Sequence, residues 1–323
     1  GAGVAGQSNC RYGRAKAREA GGGRHVGDAS SDDFSKDKGS LFGGGVSYDD
    51  GKLFATSGLG DVAAFNAADG KQIWKVRPGG PLRGAPSISN GQVYVMSQDN
   101  QIFALRQANG DQVWNEAASL EVSGVFGVGA PAVAQGSVVA GFSSGELNAY
   151  RYENGRSLWA DALSRTSIST SVASLSDVDA SPVIDRGRIF AIGQGGRMVS
   201  MELVTGQRLW EINVAGIATP WVAGEWVFVV DDQARLLCLS RATGKVRWMS
   251  QLPRYHKEKK KKGPIIWTGP ILAGDRLIVA SSEGQLANIN PANGALQSQT
   301  KAGGAVYFTT MVGNNTLYVL TND

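Results

Sequence analysis

Histidine and cysteine are scarce in this chain of 323 residues. There are two of each: His25 and His256, Cys10 and Cys238. Two histidines in charged, loop-like surroundings exclude most histidine-based catalytic triads, and no Cys/His group has metal-ligand spacing. The two cysteines form no motif and could pair only if the fold brought them together. No apolar run approaches the roughly 18 residues of a membrane-spanning helix, and no secretory signal pattern is present. Gly43-Gly44-Gly45 is not a phosphate loop, because no Lys-Ser/Thr follows at the needed spacing. A basic face is missing too. The net charge is +4, but Arg254 to Lys262 alone holds six basic residues against one acid, which leaves the rest of the chain close to neutral. A nucleic-acid partner would need a distributed basic surface.

Glycine is abundant, at 44 residues, and the apolar share of 42% is enough for a large core. The glycines are periodic. Gly-x-x-x-Trp occurs at Gly70–Trp74, Gly110–Trp114, Gly155–Trp159, Gly206–Trp210 and Gly244–Trp248, and a sixth copy, Gly294–Ser298, has lost its Trp. A second glycine precedes each terminal position by 23 or 24 residues: Gly51, Gly91, Gly136, Gly187, Gly224 and Gly274. "Pro-x-apolar" openings recur at Pro86, Pro131, Pro182, Pro220 and Pro270. Between these marks lie short β-branched and aromatic runs separated by turn residues, such as Arg188 to Ile192 and Arg197 to Leu203. Asp50-Gly51 and Asn90-Gly91 suit two-residue hairpins, where both turn positions need positive φ.

A repeating antiparallel meander of four strands in 40–50 residues predicts an all-β fold, an eight-bladed β-propeller. Six units carry the Gly-x-x-x-Trp or Ser ending, and a seventh opens at Tyr307 and runs to Asp323. The eighth is expected in residues 1–40, an atypical segment without strand periodicity, with Val4 to Ser8 or nearby residues pairing onto the C-terminal strands to close the ring. Residues 41–323 then form the blades of one domain. Trp74, Trp114, Trp159, Trp210 and Trp248 are expected to dock each blade on its neighbour, each indole N–H meeting backbone. The competing reading, a set of catalytic or ligand-stacking rings, does not explain why the Trp recurs in successive units.

The repeat is similar to that of the pyrroloquinoline-quinone-type propellers. More narrowly, Leu175-Ser-Asp-Val-Asp-Ala-Ser-Pro-Val-Ile184, Gly224 to Trp248 and Trp267-Thr-Gly-Pro-Ile-Leu-Ala-Gly274 resemble the BamB family over about residues 41–323. That resemblance implies a non-enzymatic scaffold without a cofactor, held at the periplasmic face of the bacterial outer membrane by a lipid anchor outside this chain. The implied partner is the POTRA region of BamA. Nascent outer-membrane proteins would be further clients, through strand addition at blade edges. The family's acidic contact pair falls on Asp177 and Asp179. Two apart in an extended segment, they face the same way and could present carboxylates to a partner's Arg or Lys, or else organise a turn. The family's Leu-x-Leu-Arg stretch falls on Ser123, Val125 and Phe126, so this chain lacks the cation there. Val125 and Phe126, between Gly124 and Gly127, could anchor a partner or cap their own blade. The alternative is a quinone-dependent oxidoreductase of the same repeat class. That likeness would imply a longer chain, adjacent cysteines and a calcium site, and none of these is visible. The run His256 to Lys262 reads as a solvated loop, though near an anionic membrane surface it would be attracted.

Overall fold

A computed structural model describes residues 44–119, 129–163 and 177–322. Its ordered elements are almost entirely strands. Six four-stranded antiparallel sheets follow one another along the chain, spanning 44–76, 82–117, 132–162, 183–212, 221–251 and 267–301, each with its strands in sequence order. The first strands of successive sheets stand side by side, as the blades of a propeller do about their axis. Eight blades are not seen among the described residues. The seventh unit is a two-stranded sheet, Met311–Gly313 with Thr316–Tyr318. The eighth, with Val4 to Ser8, falls outside the described residues.

Turn chemistry explains the glycine series that begins Gly51, Gly91. Asp50 and Gly51 have φ of 44° and 72°, and Asn90 and Gly91 have 54° and 71°. Each pair bridges directly opposed residues, Asp49 with Lys52 and Ser89 with Gln92. Gln135-Gly136 and Arg186-Gly187 repeat the arrangement in the third and fourth sheets. Two consecutive left-handed residues twist the hairpin in the direction that the strands already favour.

The core is a stack of layers between neighbouring sheets. Val93 and Val95 pack back against Phe54, Val62 and Ala64 of the first sheet. Their neighbours Tyr94 and Met96 face forward onto Val138, Ala140 and Phe142 of the third. Both faces of an inner strand are therefore apolar, and its sequence reads as a continuous hydrophobic run with little alternation. Hydroxyls tie the first strands together: Ser47 donates to the Pro86 carbonyl and Ser87 to that of Pro131.

The tryptophans span the same seams. Trp74 Nε1 donates to the Gln107 carbonyl (3.0 Å), Trp114 to Tyr152 (2.7 Å), Trp159 to Leu203 (2.8 Å), Trp210 to Arg241 (2.9 Å) and Trp248 to Pro291 (3.0 Å), in every case onto the next sheet. Each ring lies over the glycine of that next unit. A Cβ on Gly110, Gly155, Gly206, Gly244 or Gly294 would stand only 2.5–2.8 Å from the preceding unit's indole. Opposite each Trp, at a register shift in the third strand, stands a small residue: Ala64, Ala104, Ala149, Ser200 or Cys238. In the sixth sheet Ser298 replaces the Trp and its partner enlarges to Asn288, whose Nδ2 donates to Ser298 Oγ at 2.9 Å.

Candidate functional site

The segment entering the fourth sheet, Asp177 to Ser181, is fixed at every residue. Val178 donates its N–H to the Phe142 carbonyl and buries its side chain in the layer between the third and fourth sheets. Gln194 N–H donates to the Asp177 carbonyl, and Ser181 Oγ accepts from Ala130 N–H. With Val178 directed into that layer, extended geometry puts Asp177 and Asp179 together on the opposite side.

That side is covered, which corrects the expectation of carboxylates on an exposed edge: Asp177 is 1% and Asp179 5% exposed. Inside lies Arg83, on the first strand of the second sheet (Leu82–Ser89) and itself 1% exposed. Its Nη2 donates to the Val178 carbonyl (3.2 Å) and lies 3.8 Å from Asp179 Oδ1. Gln194 Nε2 donates to Asp179 Oδ2. Arg83 Nε and Asp179 Oδ1 make no hydrogen bond among the described residues. The group thus links the second sheet to the fourth through one cation and two acids.

Its electrostatics follow from burial. Loss of solvent is the main cause that pushes the Asp179 carboxyl up to about 6. Arg83 opposes the rise, Asp177 adds to it, and the Gln194 hydrogen bond lowers it. Burial likewise lowers the Arg83 pKa, against the attraction of Asp179 and Asp177. An unfolded Asp titrates near 3.9. The folded state therefore keeps a proton at pH values where the unfolded state has released it. This stabilising contribution is full below about pH 4 and is lost as pH rises through about 6. Relative to Asp179→Asn, wild type is expected to lose at most about 3 kcal/mol of stability between pH 4 and 7. Urea unfolding of both proteins at each pH measures this, and parallel pH profiles would refute it.

Arg83 was not among the residues singled out in the sequence, although a signal existed. Counting three back from each first-strand proline gives Arg83, Val128, Asp179, Ile217 and Trp267. The cation and the acid occupy the same repeat position two units apart, and they meet. Val125, Phe126 and Ser123 lie outside the described residues. The described residues just after them do reach this group: a Cβ on Gly129 would be 2.9 Å from the Asp179 carbonyl oxygen. Cys238 is a buried free thiol, its pKa pushed up to about 11 by burial, whereas Cys10 and His25 lie outside the described residues. Among the described residues no group of three or more His, Cys, Asp or Glu could hold a metal ion.

Repeated four-stranded meanders, sequential first strands and indole joints define a protein of the β-propeller repeat class. The family model described as outer membrane protein assembly factor BamB matches residues 11–250, and the chain belongs to that family. An outer membrane protein assembly factor BamB of Salmonella typhimurium is 30% identical over 269 residues, covering 83% of this chain and 66% of the relative. The match to its Escherichia coli counterpart spans 33% of that protein, so the chain covers between a third and two thirds of the length of these relatives. The crystal structure of BamB from Moraxella catarrhalis superposes with a TM-score of 0.72 at 21% identity, covering 86% of this chain and 80% of that one. Quinohemoprotein alcohol dehydrogenase from Comamonas testosteroni shares the fold, with a TM-score of 0.57 at 14% identity over 87% of this chain and 70% of that one.

Proposed function

We propose that the chain is a non-enzymatic scaffold of outer-membrane β-barrel assembly, working at the periplasmic face and binding the POTRA region of BamA. Family membership supports this reading. The observation that carries it is the convergence of Gly129-Ala130, the described residues that follow Val125 and Phe126 in the chain, with Asp179–Ser181. Because the carboxylates are buried, they act as positioning residues: paired with Arg83, they hold the course of the edge. Val125 and Phe126 supply the apolar contact, in keeping with the missing cation of the Leu-x-Leu-Arg pattern. Strand edges such as Leu296–Lys301, exposed along its whole length, give clients a backbone surface.

Titration of the chain with the POTRA region of its own organism's BamA tests the reading. Micromolar or tighter binding is expected, weakened at least about tenfold by Val125→Ala/Phe126→Ala, the magnitude of a lost interface anchor. Asp177→Asn/Asp179→Asn should weaken it less, by loosening the edge. Absence of binding would overturn the proposal and favour the quinone-dependent reading. Binding indifferent to all four substitutions would move the contact elsewhere.

A further inference from the structure

The basic run between the fifth and sixth four-stranded sheets is a built element. Tyr255–Lys257 pairs with Lys262–Pro264, opposing Tyr255 to Pro264 and Lys257 to Lys262. A single 3-10 turn, Glu258–Lys260, forms the tip, followed by Lys261 in the left-handed region at φ 48°. The base is tied down: Ile265 N–H donates to the Arg254 carbonyl, and Trp267 Nε1 to the Pro253 carbonyl at 2.8 Å.

Within this hairpin the only acid is Glu258, and its carboxylate is already engaged. It accepts the N–H groups of Arg254 (2.6 Å) and Tyr255 (3.1 Å), and these bonds hold it ionised, its pKa below the ordinary carboxylate value. Glu283, the nearby acid, sits on His256 Nδ1 at 2.9 Å. None of Lys257, Lys259, Lys260, Lys261 and Lys262 has an ion-pair partner among the described residues, and all five are exposed. Beside them Ile266 is 46% exposed, and Tyr255 is half-buried with the Arg254 guanidinium 5.5 Å from its ring centroid.

We infer that this hairpin docks the propeller onto an anionic phospholipid surface. Four consecutive lysines, Lys259 to Lys262, follow one another around a tight turn, and all are exposed. Lysine is a strongly hydrated point charge that lacks arginine's fork for fixed carboxylates. Such a cluster suits the diffuse field of many mobile headgroup phosphates better than the fixed acids of a folded protein. Tyr255 and Ile266 place an aromatic and an aliphatic side chain at the base, where they can enter the interfacial layer. The rest of the chain carries little net charge, so attraction is concentrated on this face and orients the molecule.

The inference does not depend on the POTRA reading, since its test needs no partner protein. The full chain is sedimented with vesicles of phosphatidylcholine alone or with about a third phosphatidylglycerol, at about 0.1 M and about 1 M salt. Partitioning onto the anionic vesicles is expected to be at least about tenfold stronger and to collapse at high salt, and each lysine neutralised should weaken it about fivefold. Lys259→Gln/Lys260→Gln/Lys261→Gln/Lys262→Gln should abolish it with an unchanged melting temperature, because these residues are exposed. Equal partitioning onto both vesicles, or a quadruple variant that binds like wild type, would overturn the inference. So would polyglutamate binding more tightly than the vesicles at matched negative charge, which would assign the hairpin to an acidic protein.

Discussion

Arg83→Met should destabilise the protein by about 3–5 kcal/mol at pH 7, the cost of removing one partner from a buried ion pair. Asp179 would remain buried beside Asp177 and without the Arg83 counter-charge, and the Val178 carbonyl would lose its donor. The Asp179 carboxyl would then favour its protonated form still more, so the deficit should shrink as pH falls from 7 toward 5. Arg83→Met/Asp179→Leu should recover a large part of the loss, because well-packed apolar groups often replace a buried ion pair at little cost. Denaturant unfolding of the two variants and wild type measures all of this. A loss below about 1 kcal/mol for Arg83→Met would show that the cation is not what links the second sheet to the fourth.

Trp114→Ala is expected to cost about 3–5 kcal/mol, the range for truncating a large buried aromatic. The ring is 7% exposed, sits 5.9 Å from Tyr94 and 6.1 Å from Tyr150 by ring centroids, and covers Gly155 of the next sheet. Trp114→Phe separates packing from hydrogen bonding. It keeps most of the apolar contact and loses the bond to the Tyr152 carbonyl, for about 1–2 kcal/mol. Chemical denaturation of the two variants gives both numbers, and equal losses would show that the N–H carries the joint. Gly155→Ala attacks the same seam from the other side, since its Cβ would come within 2.8 Å of the indole at a φ of +72°.

Much of this architecture was legible because the repeat is a mechanical requirement. Gly-x-x-x-Trp and the paired-residue hairpins each answer a local need of backbone or packing, so they recur in register. What stayed hidden are relations between units. Gly155 and Trp159 read as one motif, yet the glycine serves Trp114 of the unit before. Periodicity placed Asp177 and Asp179 on a common side without telling that the side was covered. Strands buried on both faces carry no polar stripe to mark the outside. Arg83 was passed over for a related reason. A buried charge announces itself only through its partner, which here lies 96 residues further along the chain at the same repeat position, in Asp179.

The placement of the indole joints bears on how such a molecule could have grown. The second to fifth units each carry, within one five-residue stretch, both the glycine that receives the preceding ring and the tryptophan offered to the following one. A segment copied or deleted whole therefore brings a compatible joint at each end, and because each indole joint reaches only the adjoining unit, the disturbance at the joints stays local. The sixth unit differs in kind: Gly294 still receives Trp248, but Ser298 offers nothing onward and is bound back to Asn288. Such a unit can follow any other yet hands no indole to its successor, so the seventh unit is held by other bonds, such as that from Thr268 Oγ1 to the Phe308 carbonyl.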